Sequence, residues 1–417
     1  MNLSALRETR TLLYLFIGFR LMLMLVYQPY LINNVERGLT TFGDFQHYFN
    51  LAKLSSDGKL PYRDYWYEFP PVFPILSLSV YALSSARGAP DFTAYATLLG
   101  LLMTIFDVGN LLLVIRIGNR LYAGSSDHNP GGALGWIYAL LAAPLIFSWW
   151  SFEPIVAFCF LLAIASLIER HDTRSAVVTA VGALTKLFPL ITIAVAVRFR
   201  DVRGALRYAA VALIITAIGL AALLAVGGRF GVPSLVAQFN KASYESVWAL
   251  IDHNYKTGNF GPISDHFDPA RAYDLQGNPA VLPAWLRAIV FGAIGVFVFI
   301  RTRRFDGRGI LAFAAITVTI FFLWAQGWSP QWQVTLLPLI LLSFPTPSGV
   351  LICLMLELIS FAEYPTLFAR TGDTGGVISA AQLPIYTLLI LARTGILIGF
   401  AVALYRQLRL SRAAETL

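Results

Sequence analysis

Apolar runs follow one another along almost the whole chain, separated by short polar stretches that hold most of its arginine. They cover residues 11–31, 92–115, 132–148, 154–169, 204–226, 284–300, 309–325, 332–344, 348–362 and 384–405. As helices rising about 1.5 Å per residue, most are long enough to cross or nearly cross a hydrocarbon core about 30 Å thick. The first run mimics a secretory signal, but it is too long and no small-residue cleavage site follows it, so it reads as an uncleaved span.

Three stretches break this pattern. Between Arg174 and Arg198 the flanks are both basic, and TKLFP (185–189) interrupts the run, so two short helices meeting at a Lys-Pro break are expected. The segment PPVFPILSLSVYALSS (70–85) is apolar but short, and a full crossing there would reverse every later segment. A helix lying in or dipping into the outer leaflet is expected instead. In FGDFQHYFNLAKLSSDG (42–58), Phe45, Tyr48, Phe49 and Ala52 recur at i, i+3, i+4 and i+7, with Gln46, Asn50, Lys53 and Asp57 opposite. That spacing predicts an amphipathic helix stopped by Gly58 and lying on the membrane surface.

Composition excludes a soluble protein: of 417 residues, 57% are hydrophobic and 13% charged. The net charge of +8 sits in short clusters at Arg7/Arg10, Arg116/Arg120, Arg170/Arg174, Arg198–Arg207, Arg301–Arg308 and Arg406–Arg412, which is membrane topology and not a nucleic-acid surface. Placing every cluster in the cytoplasm puts both termini inside and loops 32–91 and 227–283 outside, with about twelve membrane helices counting the two short ones. Cys159 and Cys353 fall inside apolar runs and form neither a disulfide frame nor a zinc spacing.

Within this apolar chain, charged residues are the candidates for chemistry. Arg20, Lys186 and Arg393 lie inside apolar runs, where a cation costs roughly 2.5–3.5 kcal/mol at a helix centre and calls for a partner. Asp107 and Glu357 are the intramembrane acids: Arg20 with Asp107 reads as a structural pair, and Arg393 either binds a phosphate or pairs with Glu357. Asp44 alone reads as a helix N-cap, and Glu153 as an acid favoured at a helix start. The loop 243–268 has two Asp-His pairs, at 252–253 and 265–266, whose spacing matches no metal-ligand set and which read as polar loop residues. Aromatic residues crowd the predicted outer ends, in YWYEFPP (65–71), SWWSFEP (148–154) and GWSPQW (327–332).

The order of these motifs resembles the GT-C superfamily of multispanning glycosyltransferases, and most of all glycosyltransferase family 87, whose members use polyprenyl-phosphate mannose. The likeness rests on an acid in the first external loop, the Tyr-x-Pro-Pro-like juxtamembrane segment, a second acid after span three and a Lys-x-x-Pro break two helices later, and it covers about the first 226 residues. It implies an all-α GT-C-like bundle with extracytoplasmic juxtamembrane helices, a catalytic module over 1–226 and a variable module over 227–417. It implies an inverting transfer of a sugar, mannose at family level, from a polyprenyl-phosphate donor to a lipid or glycan hydroxyl at the extracytoplasmic face of a cell membrane. Asp44 is then the general base, and Lys186 and Arg393 hold the donor phosphate. His47, Tyr67, Glu68, Glu153, His253, Lys256, Trp328 and Gln331 are the candidate substrate contacts. No cofactor and no essential metal are expected, since a monophosphate donor needs a divalent ion less than a pyrophosphate does. Two other readings fit a many-helix protein with buried charge. A transporter or flippase would show internal repeats, of which none is evident, and a polymerase or ligase using lipid pyrophosphates would favour paired outer-loop arginines.

Overall fold

The computed structural model describes residues 8–27, 43–86, 88, 91–124, 129–258, 260–371 and 375–410. Among these, regular structure is helical, with only three isolated bridges between extended segments. Helix α1 (Thr9–Tyr27) precedes the predicted surface helix α2 (Gly43–Lys53), which a short turn extends to Gly58 in the left-handed conformation. Helix α3 (Val72–Ser84) has 13 residues, about 20 Å at 1.5 Å each, too short for a crossing. It is tied at its start by the Val72 amide donating to the Leu184 carbonyl at 2.9 Å.

Helix α4 (Phe92–Leu121) is followed by α5 (Pro130–Leu140), α6 (Ala142–Phe147), α7 (Glu153–Ile168) and α8 (Asp172–Ala183). A turn at Phe188–Ile191 leads into α9 (Thr192–Phe199), so the Lys-Pro break does separate two short helices. The second half comprises α10 (Val202–Val236), α11 (Val247–Ile251), α12 (Ala284–Arg301), α13 (Gly307–Trp324), α14 (Gln333–Ser343), α15 (Pro347–Phe361), α16 (Phe368–Thr371) and α17 (Leu383–Arg409).

Six described helical segments are long and apolar enough to cross a membrane, among them α4, α10, α12, α13 and α17. Other predicted crossings are built from shorter pieces, so helix length alone does not yield the expected twelve. The run 132–148 is one such case: it breaks at Leu141, whose backbone is extended (φ −68°, ψ 136°). The amide freed by that break, Ala143 N–H, donates to Glu357 on α15 at 2.8 Å. Of the two readings of Arg393, this removes the pairing with Glu357, because the Glu357 carboxylate satisfies an interrupted backbone inside the bundle. Replacing Glu357 by Leu should lower the melting midpoint in detergent by the equivalent of about 1–3 kcal/mol, the cost of orphaning a buried donor, while Glu357→Gln should retain most of it.

A second difference concerns α10, which continues past Val226 to Val236 through a kink at Gly228 (φ 47°, ψ −124°). Only glycine adopts that backbone without strain, so the polar loop begins after Val236 and not at Gly227.

Ion pairs and hydrogen bonds gather several of the arginine clusters at one end of the bundle. Arg116 reaches Glu169 at 2.5 Å, Arg200 reaches Asp172 at 2.7 Å, Arg198 donates to the Thr302 carbonyl at 2.6 Å, and the Arg303 amide donates to Leu408 O at 2.9 Å. One continuous apolar core joins α4, α5, α7, α13, α14 and α17, and so includes residues on both sides of position 226. Inside it Arg20 meets Asp107 at 2.5 Å, both fully buried, and Asp107 also accepts from the Tyr138 hydroxyl at 2.6 Å. The predicted structural pair therefore clamps α1, α4 and α5 together.

Candidate active site

The opposite end of the bundle is organised by α2. Its apolar face packs Phe45, Tyr48, Phe49 and Ala52 against Phe73, Tyr95 and Phe152, with Tyr48 in edge contact with Phe73 at 4.6 Å. This docking fixes Asp44, which stands in the first turn of α2 and does not precede it as a cap. The Tyr48 hydroxyl, one turn on, donates to Asp44 Oδ2 at 3.2 Å. Burial dominates this carboxyl and pushes its pKa up to about 7, against hydrogen bonds from Tyr48 and Gln331; Glu68 adds to the rise and Lys186 opposes it.

Lys186 stands at the break after α8 and forms an ion pair with Glu153 at the start of α7. Its ammonium lies 5.9 Å from the Phe152 ring centroid and 5.4 Å from that of Trp332. Glu68 is paired instead with Lys241, at 2.6 Å. The neighbouring Tyr67 is held by its amide donating to Ser234 Oγ at 3.0 Å, and its buried hydroxyl has no hydrogen-bond partner among the described residues. His47 stacks on Phe260 at 4.1 Å and lies 5.4 Å from His266, which stacks on Trp66 at 4.0 Å. Burial holds both imidazoles below their ordinary range, so they are neutral near pH 7.

Two cavities meet here. A larger one of about 400 Å³ is lined by Glu153, Lys186 and Trp332 together with apolar side chains of α13 and the α8–α9 turn. A smaller one of about 160 Å³ is more polar, with Trp66, Glu68, Lys256, Asp265 and His266 in its wall. Lys241 and Tyr244 belong to both. Asp44 lines neither, but Glu68 of the smaller cavity raises the pKa of its carboxyl and Lys186 of the larger lowers it.

Two candidates stand apart from this cluster. Arg393 is buried behind Trp328, 4.5 Å from its ring, and is bound to the Glu363 carboxylate and the Glu245 carbonyl. His253 is exposed, in a left-handed backbone conformation with its ring bonded to the Tyr255 hydroxyl at 2.8 Å. One member of each Asp-His pair in the loop is buried: Asp252 accepts from Ser243 Oγ at 2.7 Å, and the His266 ring is bonded to the Trp66 carbonyl at 2.8 Å. They pin the long loop onto the bundle.

Sequence reasoning missed Tyr48 as the partner of Asp44, and also Lys241, Tyr244, Phe260, Glu363 and Arg287. Tyr48 was visible as the i+4 neighbour of Asp44, and Arg287 as an arginine opening an apolar run at the end away from the arginine clusters.

The sequence profile of Glycosyltransferase family 87 matches residues 70–327. The chain belongs to glycosyltransferase family 87. The family match begins later and extends further than the motif resemblance over the first 226 residues. Glu153 and Lys186 lie inside it, Asp44, His47, Tyr67 and Glu68 before it, and Trp328 and Gln331 just beyond. No curated protein matches this family 87 chain. Among solved structures it is similar to the Archaeoglobus fulgidus oligosaccharyltransferase tethered with an acceptor peptide containing the NVT sequon. The identity is 13% and the TM-score 0.41, over 94% of this chain and 55% of that one. The chain therefore spans just over half the length of that protein.

Proposed function

We propose that this family 87 chain is an inverting membrane glycosyltransferase. It moves a sugar, mannose on the family's pattern, from a polyprenyl-phosphate donor to a hydroxyl of a lipid or glycan acceptor. The observation that carries this reading is the Asp44 carboxyl, held by the Tyr48 hydroxyl, poised near neutrality and acted on by a charged residue from each of two chemically different cavities. The larger, apolar-walled cavity suits a lipid-linked donor; the smaller, polar one suits an acceptor rich in hydroxyls.

In the transfer the acceptor O–H gives its proton to Asp44 Oδ while its oxygen attacks the anomeric carbon from the face opposite the phosphate. The bond from that carbon to the phosphate oxygen breaks, its electron pair leaves with the polyprenyl phosphate, and the anomeric centre inverts. Tyr48 and Gln331 orient the carboxylate for this role. Lys186, between Phe152 and Trp332, stabilises charge growing on the departing phosphate, with Glu153 holding its position. Arg393 and Trp328 form the wall behind Trp332, and Tyr67, Glu68 and His47 border the acceptor side, with Lys256 in the wall of its cavity and His253 on its outer loop. The arginine-rich end faces the cytoplasm and the Asp44 end faces outward, in a cell membrane.

The test is to incubate the purified protein in lipid with a panel of polyprenyl-phosphate sugars and an extract of host glycolipids, followed by mass spectrometry. Release of polyprenyl phosphate together with a hexose-heavier lipid is expected. An intact donor that merely changes leaflet would instead support transport.

A further inference from the structure

The larger cavity holds three cations, and two are already neutralised. Lys186 is paired with Glu153 and Lys241 with Glu68. The third is Arg287, in the first turn of α12, only 5% exposed and with its guanidinium 5.0 Å from the Trp248 ring centroid. Its Nε and Nη1 are buried without a hydrogen-bond partner, and among the described residues no carboxylate lies within ion-pairing distance. The acid that influences it, Asp252, is engaged by Ser243 Oγ and the Val281 amide. A buried guanidinium with open donors and no counter-charge is costly, and the cavity it faces supplies room for an anion.

The shape of the cavity says what kind of anion. An apolar groove of about 220 Å³ runs between α12 and α13, past Ala288, Phe291, Gly292 and Ile320. It shares Ile191, Phe321 and Trp324 with the larger cavity, so the two adjoin along these side chains. On its other side α12 leaves Ile289, Val296 and Ile300 exposed, a surface for lipid. An occupant matching both parts has a phosphate head at Arg287 and a hydrocarbon tail in the groove.

We propose that Arg287 is the anchoring cation for the phosphate of a polyprenyl-phosphate lipid whose chain lies between α12 and α13, an assignment that rests on the glycosyltransferase reading for its occupant. Arg287 offers planar, fixed donors that Lys186 and Lys241, each held by a carboxylate, do not. It grips the phosphate in the donor and in the released lipid phosphate alike, since it meets the oxygens that stay with the lipid.

The test measures binding of farnesyl phosphate, farnesol, dioleoyl phosphatidic acid and inorganic phosphate to the purified full chain by native mass spectrometry. Wild type is compared with Arg287→Gln and Gly292→Leu. Gly292 lines the groove and a Cβ there would meet nothing within 4 Å, so leucine is the substitution chosen to occupy it. Farnesyl phosphate is expected to bind wild type best and to weaken roughly ten- to hundred-fold in Arg287→Gln, the range of a charge-assisted hydrogen bond. Farnesol should bind weakly and equally to both. Gly292→Leu should weaken farnesyl phosphate and leave inorganic phosphate unchanged, a result that stands even if Arg287→Gln fails to fold. Equal farnesyl phosphate binding by wild type and Arg287→Gln overturns the role of Arg287 and leaves the transferase reading intact. Phosphatidic acid binding as tightly, or inorganic phosphate competing as well as farnesyl phosphate, overturns the polyprenyl assignment. Failure of wild type to bind farnesyl phosphate at all, together with no donor consumption in the transfer assay, removes both.

Discussion

Asp44→Asn should reduce sugar transfer by about a hundred- to ten-thousand-fold, the contribution of a positioned general base, with donor binding preserved. The amide is nearly isosteric with the carboxyl and can still accept from Tyr48 and meet Gln331, so the local structure has no reason to change. What it loses is the ability to take the acceptor proton. The same substitution should also make the protein more stable at alkaline pH. With its folded pKa raised from 3.8 to about 7, Asp44 holds a proton in the folded state that it releases in the unfolded state across that interval. Stability therefore falls as pH rises from near the lower value to near the higher one and stays at the reduced level above it. Asp44→Asn removes that loss, so its melting midpoint should exceed wild type at about pH 8 and match it at about pH 4. A residue that costs stability where the enzyme works, and whose removal abolishes turnover, is one kept for chemistry.

The second large effect belongs to the core. Asp107→Ala should destabilise the protein by about 3–5 kcal/mol, the cost of leaving a buried charge without its partner. Arg20 is fully buried, and among the described residues two of its guanidinium nitrogens have no hydrogen-bond partner and no second carboxylate pairs with it. The Tyr138 hydroxyl loses its acceptor in the same change. The double variant Arg20→Met/Asp107→Leu should recover most of the stability, because an apolar pair of similar size carries no desolvation cost. Melting followed in detergent separates the three proteins. Equal midpoints for wild type and Asp107→Ala would mean that the pair contributes nothing to the packing of α1 on α4 and α5.

Features recorded in local pattern were legible from the chain alone. The i, i+3, i+4, i+7 spacing gave α2 and its buried face, the Lys-Pro break gave α8 and α9, and the shortness of 70–85 gave α3. Arg20 and Asp107 could be paired because each is a lone charge in one of two early runs. Features that depend on chain path were not legible. Arg393 meets Glu363 and not Glu357 because the segment after α15 turns back toward α17, while Glu357 serves an amide freed on a distant helix. The break at Leu141 is invisible to hydropathy, since a run stays apolar whether or not its backbone ladder is continuous. Glu68 with Lys241, and His47 beside His266, join the segment after α1 to the long loop across 173 and 219 positions of sequence, distances over which periodicity carries no information.

The most direct test of the central claim is the pH dependence of single-turnover transfer from a polyprenyl-phosphate sugar, measured for wild type and Asp44→Asn in the same lipid. The donor phosphodiester does not titrate near neutrality, so the enzyme's own base governs the acid limb. Wild type should rise with pH through an apparent pKa of about 7 and then level, while Asp44→Asn should stay low and flat across the range. An Asp44→Asn protein that transfers sugar at the wild-type rate, or follows the same rising profile, would contradict the account and leave Asp44 as no more than an acid in the first turn of its helix.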